Sequence, residues 1–270
     1  MKNSISVHEL KKSLNQPNRI LFDATIPKVT LKTNSNTVEK KYIKGARFFD
    51  IKKVFSDQEH AMPNMLPNAQ QFETECRKLG IHTSSEIVVY DDLGIYSSAR
   101  VWWMFKTMGH LNVKVLDGGL PEWIKQGYET VSEVNQNTSV GDFKAHLNSD
   151  AVVDFNFIQS NIKSNKALVI DARSSDRFQA LVPEPRADLR TGNIENSINI
   201  PYTDALENGK LKAIDDLEKL FSNLKTEKRP LVFSCGSGIT ACIVSLAATS
   251  VLENKKMIYD GSWSEYAQLS

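Results

Sequence analysis

The chain has 270 residues, 41% of them apolar, enough for one large domain or two ordinary ones with real cores, which excludes collagen, disorder and mini-proteins. Lys and Arg total 33 against 32 Asp and Glu, a formal charge of +1, so there is no electrostatic footprint for nucleic acid or an anionic membrane. Any anion that binds must be held by a local cluster of donors.

In chain order, the N-terminal MKNSISVHELKKSLNQ lacks an apolar signal core followed by a small-residue cleavage site, and reads as the start of an unprocessed, cytoplasmic chain. Four segments then follow that matter together: Leu21-Phe22-Asp23-Ala24, Gly45–Asp50, Ile87-Val88-Val89-Tyr90-Asp91 and Asp117–Trp123. Each has a counterpart further on, in the same order. Val169-Ile170-Asp171-Ala172 lies 148 positions after the first, Asn196–Pro201 answers the second, Leu231–Cys235 lies 144 after the third, and Asp260–Tyr266 lies 143 after the fourth. A repeat this long means a duplicated domain and not a solenoid. Cys76, in QQFETECRKLG, reads as an inert helix residue, and Asp91 and Asp92 read as turn formers after a strand.

Between the copies, Gln126 to Asp150 is polar, carries two glycines and has no sustained apolar period. The expected layout is an N-terminal domain over 1–128, a linker over 129–150 and a C-terminal domain over 151–270. Within the second copy, strand-like Ala167–Ile170, Leu231–Phe233 and Lys256–Tyr259 alternate with helical Ser174–Ala180 and Thr240–Leu252. That alternation predicts α/β, each copy a mostly parallel sheet flanked by helices. Ligands of such sheets sit beyond the carboxyl ends of strands, which points to the residues after Tyr90 and Phe233. The apolar run Ile243–Leu252 is about half of what a bilayer span needs, so no membrane segment is expected.

Cys235 follows a buried strand and opens Gly236-Ser237-Gly238-Ile239-Thr240, which runs into a helix. Gly236 and Gly238 permit positive φ, letting successive N–H groups curl toward one point, and a helix N-terminus adds to this anion nest. A thiolate is favoured in such a place. The alternative is a buried structural cysteine, but a core cysteine needs no glycine-rich loop. Cys242, two residues inside the apolar helix, reads as core. A phosphatase loop would need arginine where Ala241 stands, and the loop carries no cation at all, which suits a less charged group beside the thiol. Three cysteines with no CxxC pair fit neither a disulfide framework nor a zinc ribbon. Arg173 to Arg190 holds four arginines in 18 residues, readable as a solvated basic face or as a carboxylate clamp, for which the planar guanidinium is suited.

The Cys235-Gly-Ser-Gly-Ile-Thr loop resembles the active-site loop of two-domain rhodanese-like sulfurtransferases, in particular their 3-mercaptopyruvate branch. The resemblance covers nearly the whole chain. It is carried also by Gly94–Phe105, Leu116-Asp-Gly-Gly-Leu120, Asp171-Ala-Arg173, Arg177-Phe178, Glu184-Pro-Arg186 and Asp260–Glu265. Thiosulfate-preferring members place arginine and lysine where this chain has Gly236 and Ser237. The resemblance implies Cys235 as nucleophile, Ser237 as a hydroxyl that helps proton transfer, and Arg177 and Arg186 as substrate arginines, with Arg173 and Arg190 as structural ion-pair partners. Ser237 reads equally well as a loop-stabilising hydroxyl. Backbone N–H groups of Gly236, Gly238, Ile239 and Thr240 complete the expected substrate site. Two positions depart from the family: an acidic residue is replaced by Lys52, and a histidine before the Met-Leu pair by Asn64, with His60 nearby as a possible substitute.

The implied reaction moves sulfur from 3-mercaptopyruvate through a Cys235 persulfide to thioredoxin, glutathione, another thiol or cyanide, with ping-pong kinetics and no metal or organic cofactor. The rivals are a thiosulfate:cyanide sulfurtransferase and a non-catalytic sulfur carrier or binding module. In the first copy Asp91 stands in the place of Cys235, so that copy is expected to be catalytically silent.

Overall fold

The structure is a computed structural model and describes residues 3–27, 40–135 and 138–270. It divides into two compact units, one of Met1–Phe55, Pro67–Leu147 and Asn208–Lys210, the other of Ser56–Leu66, Asn148–Glu207 and Leu211–Ser270. Each unit thus takes in one short segment from the other half of the sequence.

The first unit is built on a five-stranded sheet with the order Arg47–Phe48, Arg19–Asp23, Glu86–Tyr90, Val113–Leu116, Ser4–Ile5, every pair parallel. The second has Ile198–Asn199, Leu168–Asp171, Leu231–Ser234, Lys256–Tyr259, Val152–Val153, again all parallel. The two orders are the same, strand for strand. The central strands are continuous apolar runs buried on both faces, as parallel sheets covered by helices require.

Local signals agree between the copies as well. Ser6 caps the first helix, Val7–Lys12, with a reciprocal capping box to Glu9, and Asp154, 148 positions later, caps Phe155–Ser164 by accepting from Phe157 N–H. Asp23 and Asp171 end equivalent strands, and each carboxylate turns back to accept the N–H two residues on. The first unit's core holds a cluster of phenylalanines in which Phe49 stacks on Phe55 at 3.7 Å between ring centroids. Phe143, in the polar interval between the copies, joins that cluster and is 1% exposed. Gly141 lies so close to Ile81 that a Cβ there would fall 1.9 Å from its carbonyl oxygen, which explains a glycine in this stretch.

Candidate active site

The strand Leu231–Ser234 is the middle of its sheet and delivers Cys235 at its carboxyl end. Cys235 is 2% exposed. Its N–H donates to Ser262 Oγ at 3.2 Å and its carbonyl accepts from Trp263 N–H at 2.9 Å, so the segment after the strand Lys256–Tyr259 holds the nucleophile on both sides. Ser262 has φ +51°, a left-handed conformation that costs a non-glycine residue energy. Its hydroxyl also donates to the Tyr259 carbonyl at 2.8 Å, making it a bridge between strand end and loop.

Gly238 takes φ +77°, as the sequence suggests. Gly236 does not adopt positive φ, contrary to expectation. Its glycine has another reason: a Cβ there would meet Arg177 Nη2 at 3.2 Å, so the missing side chain lets a guanidinium lie against the loop next to Cys235. The Gly236 carbonyl accepts from both the N–H and the hydroxyl of Ser264, at 3.0 and 2.5 Å. Arg186 donates to that same hydroxyl at 2.6 Å. Arg177, far upstream in sequence, is therefore brought against Gly236, and Arg186 to the hydroxyl that bonds its carbonyl. Ile239 and Thr240 lead into the buried helix Ala241–Ala248, whose Cys242 thiol donates to the Gly238 carbonyl at 3.4 Å.

The remaining arginines of the cluster do different work. Arg173 is fully buried, forks onto Asp171 with contacts of 2.6 to 3.1 Å, reaches Glu184 at 2.8 Å and stacks 4.3 Å over the Trp263 ring. Glu184 is shared, since its other oxygen takes Arg177 Nη2 at 2.5 Å. Two arginines and two acids form one network, buried except at Arg177, and Glu184 holds Arg177 in place. Arg190 is no ion-pair partner among the described contacts; it lies over Trp263 and Tyr266 and donates to Ser270.

Asn64 Nδ2 donates to Ser237 Oγ at 3.2 Å and to the Ser237 carbonyl at 3.3 Å. Leu66 N–H is held by Asp260 Oδ2 at 2.6 Å, fixing this segment two residues on. His60 does not take this place: it is exposed and its Nδ1 accepts from Met62 N–H within its own turn. Lys52 is exposed on the first unit.

The first unit holds the same loop with a different centre. Asp91 is fully buried, and its carboxylate accepts the N–H groups of Leu93, Tyr96 and Ser98 at 3.0, 2.8 and 2.9 Å. Burial pushes its carboxyl above the ordinary range. Neighbouring Asp92 is pushed up to about 6 by partial burial and by the charges of Asp91 and Asp23. Asp91 is thus a turn former, as read from the sequence, and also an anion lodged in its own nest.

Ser262, Ser264 and Glu184 carry no individual signal in the sequence as parts of this site. The repeat offered a signal for Ser262, which stands opposite Gly119; Gly119 has φ +54° in the first unit, nearly the same backbone. All three cysteines are outside disulfides. Burial and the charges of Glu75 and Glu73 push the Cys76 thiol well up, consistent with an inert role. Among the described residues no His, Cys, Asp and Glu cluster could hold a metal, and no helix is long and apolar enough to cross a membrane.

The model of the rhodanese-like domain matches residues 6–126 and again 156–269. The 3-mercaptopyruvate sulfurtransferase of Mus musculus is 39% identical over 232 residues, covering 84% of this chain and 77% of that protein. The thiosulfate sulfurtransferase of Rattus norvegicus is 36% identical over 233 residues, covering 84% and 78%. The crystal structure of SseA from Escherichia coli, which has the rhodanese fold, superimposes with a TM-score of 0.84 at 32% identity, covering 96% of this chain and 98% of that one.

Proposed function

This chain belongs to the rhodanese-like family and is a sulfurtransferase, and from that premise we propose that it takes sulfur from 3-mercaptopyruvate onto Cys235 and passes it to a thiol or cyanide. The observation that carries the assignment of residues is that Arg177 lies directly against Gly236, the residue next to Cys235, and Arg186 reaches its carbonyl through the Ser264 hydroxyl. We assign the substrate carboxylate to these guanidinium groups. Arginine suits that planar partner, and the loop's lack of cations suits a donor whose only charge is remote from its sulfur.

In the first half-reaction the Cys235 thiolate attacks the substrate sulfur. An S–S bond forms as the C–S bond breaks, the bonding pair passes to carbon as the enolate of pyruvate, and the substrate thiol's proton ends on that carbon. The persulfide then gives its outer sulfur to an acceptor such as glutathione, thioredoxin or cyanide, regenerating Cys235. Backbone N–H groups of Gly236, Gly238, Ile239 and Thr240 are the donors we assign to the anionic sulfur. For Thr240 the first unit supports this, because there its counterpart Tyr96 supplies one of the three N–H groups with which the corresponding loop wraps a carboxylate. Ser237 is assigned to the carbonyl that becomes the enolate. With three thiols and no disulfide, the chain suits a reducing compartment, and we place it in the cytoplasm.

The likeness to a thiosulfate sulfurtransferase favours thiosulfate as the second reading of the donor. Purified protein decides by comparing pyruvate release from 3-mercaptopyruvate with thiocyanate formation from thiosulfate and cyanide. We expect a higher kcat/KM for the former; equal or better use of thiosulfate overturns the donor assignment. A carrier without catalysis would load sulfur once and show no repeated turnover.

A further inference from the structure

The contact between Asn64 and Ser237 fixes more than a loop. Asn64 sits at φ +61°, a backbone conformation that asparagine tolerates better than most residues, and its side chain bridges both oxygen atoms of Ser237. The Ser237 carbonyl can only accept, so the amide face turned toward it must be the NH₂ group, with one proton for the carbonyl and one for the hydroxyl. The Ser237 oxygen then accepts from Asn64, and its own proton has to point elsewhere. A carboxylate or an accepting imbalance at position 64 would do the reverse and draw that proton to itself.

The amide is itself well held. Its segment closes on itself through Asp57 N–H to the Met65 carbonyl at 2.9 Å, and is pinned by Leu66 N–H on Asp260. Asp260 is two residues from Ser262, which bonds Cys235 N–H, so the loop's hydroxyl and its nucleophile are held from the same neighbourhood. We propose that Asn64 is a positioning residue that sets the Ser237 hydroxyl as a hydrogen-bond donor toward the oxygen of the departing pyruvate enolate. This rests on the reading of Ser237 given above. An enolate oxygen gains charge as the C–S bond breaks, so a donor aimed at it strengthens in the transition state and acts on kcat more than on KM.

The test is steady-state kinetics with 3-mercaptopyruvate as donor and glutathione as acceptor, on Asn64→Gly, Asn64→Asp, Ser237→Ala and the double variants. Glycine removes the amide without charge or cost in the left-handed backbone; aspartate keeps shape and turns the donor into an acceptor. Ser237→Ala is expected to lower kcat roughly a hundredfold, the lower end of what one general acid–base or oxyanion contact supplies, and each Asn64 change about tenfold, because the hydroxyl stays but loses its aim, with KM within about twofold throughout. In the Ser237→Ala background, both Asn64 changes should cost less than about twofold further, because the group they act through is gone. Equal Asn64 effects in both backgrounds, or a change confined to KM, would overturn the proposal while leaving Ser237 its role. Ser237→Ala at the unaltered rate would remove that role itself, and the proposal with it.

Discussion

The loops that follow Tyr90 and Ser234 leave the same position of two sheets with the same strand order. Gly94 and Gly238 both take positive φ, at +102° and +77°, and the carbonyls of Asp91 and Cys235 accept equivalent N–H groups from Leu120 and Trp263. They differ in what fills the centre. In the first, the carboxylate of Asp91 occupies the ring of N–H donors and satisfies it from within. In the second, the side chain is a thiol, and the loop is flanked by two arginines and a hydroxyl. One exchange, a resident anion for a nucleophile, separates a structural loop from a reactive one. A second difference accompanies it. Gly119 is hemmed in, with a Cβ there falling 2.4 Å from the carbonyl oxygens of Asp91 and Gly94, whereas Ser262 carries a side chain at the same backbone angle and spends it on Cys235 N–H.

The largest effect should come from removing the nucleophile. Cys235→Ser is expected to abolish sulfur transfer to below about a thousandth of the parent rate, measured as pyruvate release, since the remaining loop has no covalent acceptor. Next, Arg186→Lys keeps the charge but loses the planar fork, and kcat/KM should fall about ten- to a hundredfold, chiefly through KM. In the other loop, Asp91→Ala strands the buried N–H groups of Tyr96 and Ser98 besides the more exposed one of Leu93, and at about 1 kcal/mol or more for each buried group the cost should be roughly 2 kcal/mol in urea unfolding, with the sulfur carried by Cys235 unchanged in amount. Loss of activity at constant folding would break the comparison by giving the first loop a part in the chemistry.

Smaller effects sharpen it. Gly236→Ala places a methyl 3.2 Å from Arg177 Nη2, close enough that the guanidinium must shift by a few tenths of an ångström; KM should rise about three- to tenfold with little change in kcat. The smallest concerns pH. Asp92 holds its proton to about pH 6 in the folded chain, against an ordinary 3.8. An acid that binds its proton more tightly when folded contributes stability that is full below its unfolded value and is lost as pH rises through its folded one. Asp92→Asn should therefore flatten the stability profile between pH about 4 and 6, read by thermal melting across that range.

The duplication, the parallel sheets and Cys235 at a strand end were all legible in the sequence, because they rest on local signals: apolar runs, a repeat of segments and a glycine-spaced loop. Arg177 and Arg186 were legible as a cluster but not as a geometry. What separates them from Arg173 is its burial between the Asp171 carboxylate and the Trp263 ring, which no spacing reveals. Gly236 was misread for a similar reason: its glycine answers to a guanidinium many positions upstream and not to its own backbone angle. Ser262 and Asn64 pay left-handed backbone costs at the site, and such strain shows only in three dimensions. Phe143 shows that a polar stretch can carry one buried anchor.

The destination of the transferred sulfur tests the role of Cys235 most directly. Intact-mass and peptide mass spectrometry of the protein exposed to 3-mercaptopyruvate, without acceptor, should show a gain of one sulfur atom per chain, confined to the peptide containing Cys235 and discharged on adding glutathione. Sulfur on Cys76 or Cys242, or no adduct in a protein that still releases pyruvate, would contradict it.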